Sequence, residues 1–236
     1  MPHLHKALSL GDILTDTPYK MNQIEFIPLI EPAIKKDKES EIIPSGTHLS
    51  NTIEWDKYQK LEIEKNYINF PEPILNGTYQ YRLFDISLED LERVINLHIG
   101  DTDINESISL FGGYAISKNG TIELFPQCCG LLEEIQLWKN ILKDDFEDFY
   151  LTEGHPSPLV TKRGNEIIIY CKDDFETFYP MTAKEEIRLD YNETKTALII
   201  LISKLTGFSE KLNSLSDKSK TDNLSNILIW GRNENR

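Results

Sequence analysis

The sequence predicts an α+β domain: a mainly antiparallel sheet with a central β-hairpin, packed by three or four helices. Three observations predict it. Asn119 and Gly120 separate the strand-like segments 114–118 and 121–125, and both accept the positive φ that a type I′ hairpin turn requires at its two central positions. Residues 165–171 read Asn-Glu-Ile-Ile-Ile-Tyr-Cys, a continuous apolar run of strand length that suits a central strand. Segments 87–100 and 193–215 repeat apolar residues every three or four positions, the period of a helix with one buried face.

The elements follow in chain order. Residues 1–76 read as an irregular extension wrapping the domain, because turn-rich and charged stretches interrupt a single strand-like run at 24–30. Pro28 inside that run argues for an edge strand, since proline has no N–H for a ladder. The core domain is expected at 77–215, opening with Tyr79, Tyr81 and Leu83 in alternation. Ser87 caps the next helix, with Asp90 adding negative charge to its first turn and Leu88, Leu91, Ile95 and His98 or Ile99 forming its stripe. After the hairpin, Leu131, Ile135, Trp138 and Leu142 are spaced by four, three and four, a helix with Trp138 in the core. Thr182 and Glu185 match a capping box and predict a helix there. A long helix follows from about Glu193, carrying Leu198, Leu201, Ile202, Leu205, Phe208, Leu212 and Leu215 on one side. Residues 216–236 are a polar tail except for the apolar patch 227–230, which is expected to dock back on the domain.

Composition narrows the function. The 236 residues carry a formal charge of −14. A field of that sign repels phosphate backbones and argues against nucleic acid. It favours encounter with a basic protein. The longest apolar run, residues 197–202, is too short to span a bilayer. The start lacks a secretory pattern, and three cysteines suit free thiols in a reducing cytoplasm. Phosphate-binding glycine loops, dinucleotide fingerprints and hydrolase elbows are missing from the sequence, and no cofactor is expected.

Two groups of residues remain as candidates. Cys128 and Cys129 adjoin Gly130, and their spacing is not the Cys-x-x-Cys that aims two sulfurs at one metal. The expectation is therefore a turn with at least one thiol packed inside and no metal. A thiol-dependent hydrolase is the alternative, with Cys128 or Cys129 as nucleophile, His155 as base and Asp173 or Asp174 orienting it. His155 precedes Pro156 and sits on a loop. The second group is acidic: Asp144, Asp145, Glu147 and Asp148, and then Asp173, Asp174 and Glu176. Each cluster mixes carboxylates with Phe and Tyr, and the two flank the same loop and strand in sequence. Aromatics supply contact area and carboxylates steer, which predicts one binding surface for a basic partner.

The segment from Phe111 through the Cys-Cys-Gly turn, the tryptophan helix, Gly154-His155-Pro156 and the strand at 165–170 resembles a group of uncharacterised bacterial proteins with the same series of features. In style this group is similar to the small acidic immunity proteins of bacterial toxin systems. The resemblance implies a non-enzymatic cytoplasmic binding protein that neutralises a basic toxin, and it carries over no catalytic residue.

Overall fold

The computed structural model describes residues 23–35, 43–46, 50–76, 78–180, 184–215 and 224–232. Strands β1 (Ile24–Ile30), β2 (Tyr81–Arg82), β3 (Gly112–Lys118) and β4 (Thr121–Leu124) form one antiparallel sheet in the order β2-β1-β3-β4. Strands β5 (Asp148–Tyr150), β6 (Leu159–Arg163), β7 (Glu166–Tyr170) and β8 (Glu186–Asp190) form a second, in simple meander order. The helices among the described residues are α1 (Thr52–Asn66), α2 (Leu88–Ile99), α3 (Ile135–Trp138), α4 (Tyr191–Ser214) and α5 (Leu224–Leu228). The α+β class and the hairpin stand, but the hairpin and the 165–171 strand lie in different sheets. None of these helices is long and apolar enough to cross a membrane.

The hairpin turn is made as its sequence requires, with φ of 54° at Asn119 and 79° at Gly120. Strand β7 runs between β6 and β8, and its buried isoleucines Ile167, Ile168 and Ile169 explain the unbroken apolar run. Short 3₁₀ turns at Leu132–Glu134 and Lys139–Leu142 flank α3. The Ile135 and Trp138 side chains are fully buried there, and the Trp138 ring meets Phe26 and Phe149 edge-on.

Some expectations are corrected. Strand β1 lies within the first sheet, and Ile24, Phe26 and Ile30 join the main core, as do Ile63 and Tyr67 from α1 and the chain after it. The described part of the segment before residue 77 therefore builds part of the core. Pro28 fits because odd-numbered β1 neighbours bond towards β3: Glu31 N donates to Phe111 O, and Gln23 O accepts from Asn119 N. Even-numbered positions face the other side, where β2 reaches only Leu29 and Ile30. The missing N–H of Pro28 falls where no strand runs.

The helix expected from Thr182 and Glu185 is strand β8; Ile187 and Leu189 are buried and alternate with exposed Glu186 and Arg188. Thr182 itself lies outside the described residues, as do His3 and His5. The patch at 227–230 docks on the domain as expected, as part of α5 and the turn after it, burying Leu224, Ile227, Leu228 and Ile229. On α2, Leu88 is exposed while Val94 and Asp90 take buried places beside Leu91 and Ile95.

A candidate metal centre at the Cys-Cys-Gly turn

The turn after β4 is built from its backbone outward. Gly130 N donates to Gln127 O at 3.2 Å, and Gly112 N donates to Gly130 O at 2.8 Å. A Cβ on Gly130 would collide with the carbonyl oxygen of Gly112, so only glycine lets the chain pass this close to β3. Cys129 takes a left-handed φ of 65°. Both thiols emerge on one side with their sulfurs 3.5 Å apart. Contrary to the sequence expectation, neither is packed inside: Cys128 and Cys129 are exposed, and the buried thiol is Cys171.

The loop between β5 and β6 meets this turn. His155 N donates to Cys128 O at 3.0 Å, and the two residues pair as an isolated antiparallel bridge. The sulfurs of Cys128 and Cys129 and a ring nitrogen of His155 all lie within 4.8 Å of one another. His155 and Pro156 are joined by a cis peptide.

A third segment, the loop after β7, supplies Glu176. Asp173 Oδ1 accepts from the backbone N–H groups of Phe175 and Glu176 at 2.8 and 3.0 Å, shaping a local turn. Glu176 Oε2 then lies 3.0 Å from His155 Nδ1. The carboxylate that orients His155 is therefore Glu176 rather than Asp173 or Asp174.

Gln127 holds the two loops together. Its Nε2 donates to Phe125 O at 2.8 Å and Tyr179 O at 3.0 Å, while its Oε1 accepts from Tyr179 N at 2.8 Å. Sequence reasoning missed this residue. A lone amide between a proline and two cysteines carries no periodic signal, although a buried amide that satisfies three backbone groups is a strong anchor.

Electrostatics favour a cation at the turn. The Cys128 thiol is pushed up to about 11 by lost hydration, then by its bond to the Cys129 thiol and by the negative charges of Cys129, Glu31 and Glu176. That direction opposes a standing thiolate nucleophile, which needs a depressed pKa. Burial alone pushes the Cys171 thiol up to about 12.

In strand register the two acidic clusters lie towards different ends of the second sheet. Asp148 pairs with Thr161, and Lys162 N donates to Glu147 O, so Asp144, Asp145, Glu147 and Asp148 gather where β5 begins. Asp173, Asp174 and Glu176 follow Tyr170, which aligns with Leu159 and, through it, with Tyr150, where β5 ends. All seven side chains are exposed. Phe146 and Phe149 turn inward beside the first cluster, and Phe178 beside the second, whereas Phe175 is 95% exposed.

Compared with known proteins, the chain matches no family model, no curated sequence and no solved structure.

Proposed function

We propose that this is a metal-binding protein whose centre is Cys128, Cys129 and His155, with zinc as the ion its ligands suit best. The convergence of two sulfurs and an imidazole nitrogen within 4.8 Å carries the reading. Around tetrahedral zinc with Zn–S bonds of about 2.3 Å, two sulfurs stand about 3.8 Å apart. The observed 3.5 Å needs only a small adjustment. Two thiolates with one imidazole select zinc or monovalent copper over magnesium or calcium.

Glu176 supports the same reading. A metal-bound histidine commonly donates its other ring N–H to a carboxylate, which fixes the tautomer and strengthens the ligand. With Nδ1 on Glu176, Nε2 remains for the ion. The ion would displace the thiol protons that the acidic surroundings otherwise retain. Three protein ligands at an exposed turn leave a fourth position for water or another ligand, the pattern of open rather than closed zinc sites.

Protein purified without chelator is expected to carry about one zinc per chain, and cobalt-loaded protein to show a thiolate-to-cobalt charge-transfer band. Both signals should vanish in Cys128→Ser/Cys129→Ser. Glu176→Gln should weaken affinity by about 10- to 100-fold. Metal binding that is equal in wild type and in the double serine variant would overturn the reading.

A second reading rests on Phe175, a fully presented aromatic beside Asp173 and Asp174. It makes this loop the anchor for a basic cytoplasmic protein, a toxin on the immunity-protein resemblance. Phe175→Ala with Asp174→Asn leaves His155 and Glu176 in place. It should slow association with such a partner and flatten the salt dependence of the rate. Unchanged association kinetics across salt would sink this reading while leaving the metal centre standing.

A further inference from the structure

Beside α1, the chain after β1 and the first sheet line an open cavity of about 490 Å³, within the range of small-molecule sites. Its walls include Trp55, Tyr58, Tyr79 and Phe111, with the carboxylates of Glu31 and Glu62. We propose that this cavity binds a small organic cation bearing N–H groups, a primary alkylammonium with an apolar tail.

The chemistry of the lining argues for that class. Aromatic faces attract a cation through their quadrupole and accept its apolar stem at the same time. Glu62 is already paired with Lys65 at 3.1 Å. Glu31 differs: its Oε1 accepts only the neutral amide of Gln80 at 3.3 Å, and among the described residues no Lys, Arg or His forms an ion pair with it. Gln80 Nε2 is shared with Pro126 O at 3.1 Å, so the carboxylate is held from one side and keeps Oε2 as an acceptor. Its backbone N–H is bonded to Phe111 O at 2.9 Å, which pins the residue at the cavity wall.

Burial raises Glu31 above the ordinary carboxylate range, opposed by the Gln80 bond. A bound ammonium would supply the missing counter-charge and hydrogen-bond donors together. His98 lines the same space, and its Nε2 lies 3.0 Å from Ile108 O. That bond holds the imidazole in place, and among the described residues no ion pair joins it to Glu31. A neutral alcohol of the same length would gain the apolar contacts but not the charge. A quaternary ammonium would gain the charge but offer no N–H to Glu31.

Isothermal titration of the whole chain with hexylammonium tests this, with hexanol and tetraethylammonium as controls. Saturable one-to-one binding is expected, at least about tenfold tighter than either control. Glu31→Gln and Trp55→Ala should each weaken it by about tenfold or more, at unchanged unfolding midpoint. Cys128→Ser/Cys129→Ser leaves every lining residue in place and should still bind the amine saturably, so failure of the metal centre and failure of this proposal are distinguishable. No saturable binding up to about 10 mM, far weaker than an ordinary ligand site, would overturn the proposal. So would hexanol or tetraethylammonium binding as tightly as hexylammonium, or full binding by Glu31→Gln.

Discussion

Glu134 lies beneath the Cys-Cys-Gly turn, and a Cβ added to either Gly113 or Gly130 would stand 3.1 Å from one of its carboxylate oxygens. Burial, reinforced by the charge of Glu153 and opposed by a bond from the Leu131 backbone, raises its pKa to about 8. Below its ordinary value of 4.5 the group is protonated in both folded and unfolded chains and costs nothing. Between there and about 8 the unfolded chain releases a proton that the folded chain keeps. Stability therefore falls as pH rises through this window, by up to about 1.4 kcal/mol per unit. Above it both states are ionised and the loss stays constant. Urea unfolding of wild type and Glu134→Gln across the window should show a shallower decline in the variant; parallel declines would refute the assignment. Trp138, fully buried between Phe26 and Phe149, should cost about 3–5 kcal/mol on truncation to alanine, read as a lowered urea midpoint. Its core position was legible because helix-period spacing marks a face. The exposure of Cys128 and Cys129 was not, because a positive φ at Cys129 and the crowding at Gly130 arise only once β3 lies alongside the turn.

At the scale of elements, Asp90 shows how a helix start can hold a distant segment. Ser87 Oγ accepts from Asp90 N at 3.1 Å, the cap that the sequence predicts. The carboxylate does more than add charge: Oδ1 accepts from Ile68 N at 2.8 Å, and Oδ2 from Asn69 N at 3.0 Å. It thus fastens the chain after α1 to the start of α2, and at 1% exposure it has no water to replace those donors. Asp90→Ala should cost about 3 kcal/mol or more, since it strands buried N–H groups, whereas Ser87→Ala should cost about 1 kcal/mol. Equal losses in thermal or urea unfolding would show that Asp90 acts only as a cap neighbour. Elements that carry a local period were readable: the hairpin, β7 and α4. Strand β8 was misread because a capping-box spacing competed with a two-residue alternation of only Ile187 and Leu189. Its pairing with β7 decides the contest, and that partner lies outside any local window.

Across the whole molecule, one apolar cluster runs from Ile24 on β1 through Trp138 and Ile167 to Ile229 after α5. Both sheets share it, and Lys118 Nζ donates to Arg188 O across them at 2.9 Å. Unfolding is therefore expected as a single transition, with tryptophan fluorescence and far-ultraviolet dichroism coincident. The segment 224–230 belongs to this unit: Leu110 N and Ser109 Oγ both donate to Leu228 O, and Trp230 Nε1 donates to Ser209 Oγ at 2.9 Å. A chain ending after Leu215 should lose that coincidence or fail to fold. Wild-type cooperativity in such a chain would show that the docked end is dispensable. An apolar patch in a polar tail made docking at 227–230 legible, but not its partners, because docking is a relation between segments far apart in sequence.

Cys128 follows the last strand of the first sheet, and His155 precedes the second strand of the other, 27 positions along the chain. An ion held by both would act as a reversible rivet between the two sheets, closing that loop in any partly opened form and lowering the entropy gained by opening it. The apo chain would then be the form most readily nicked by proteases between β4 and β6, and metal supply would set the lifetime of the protein as well as the occupancy of its site.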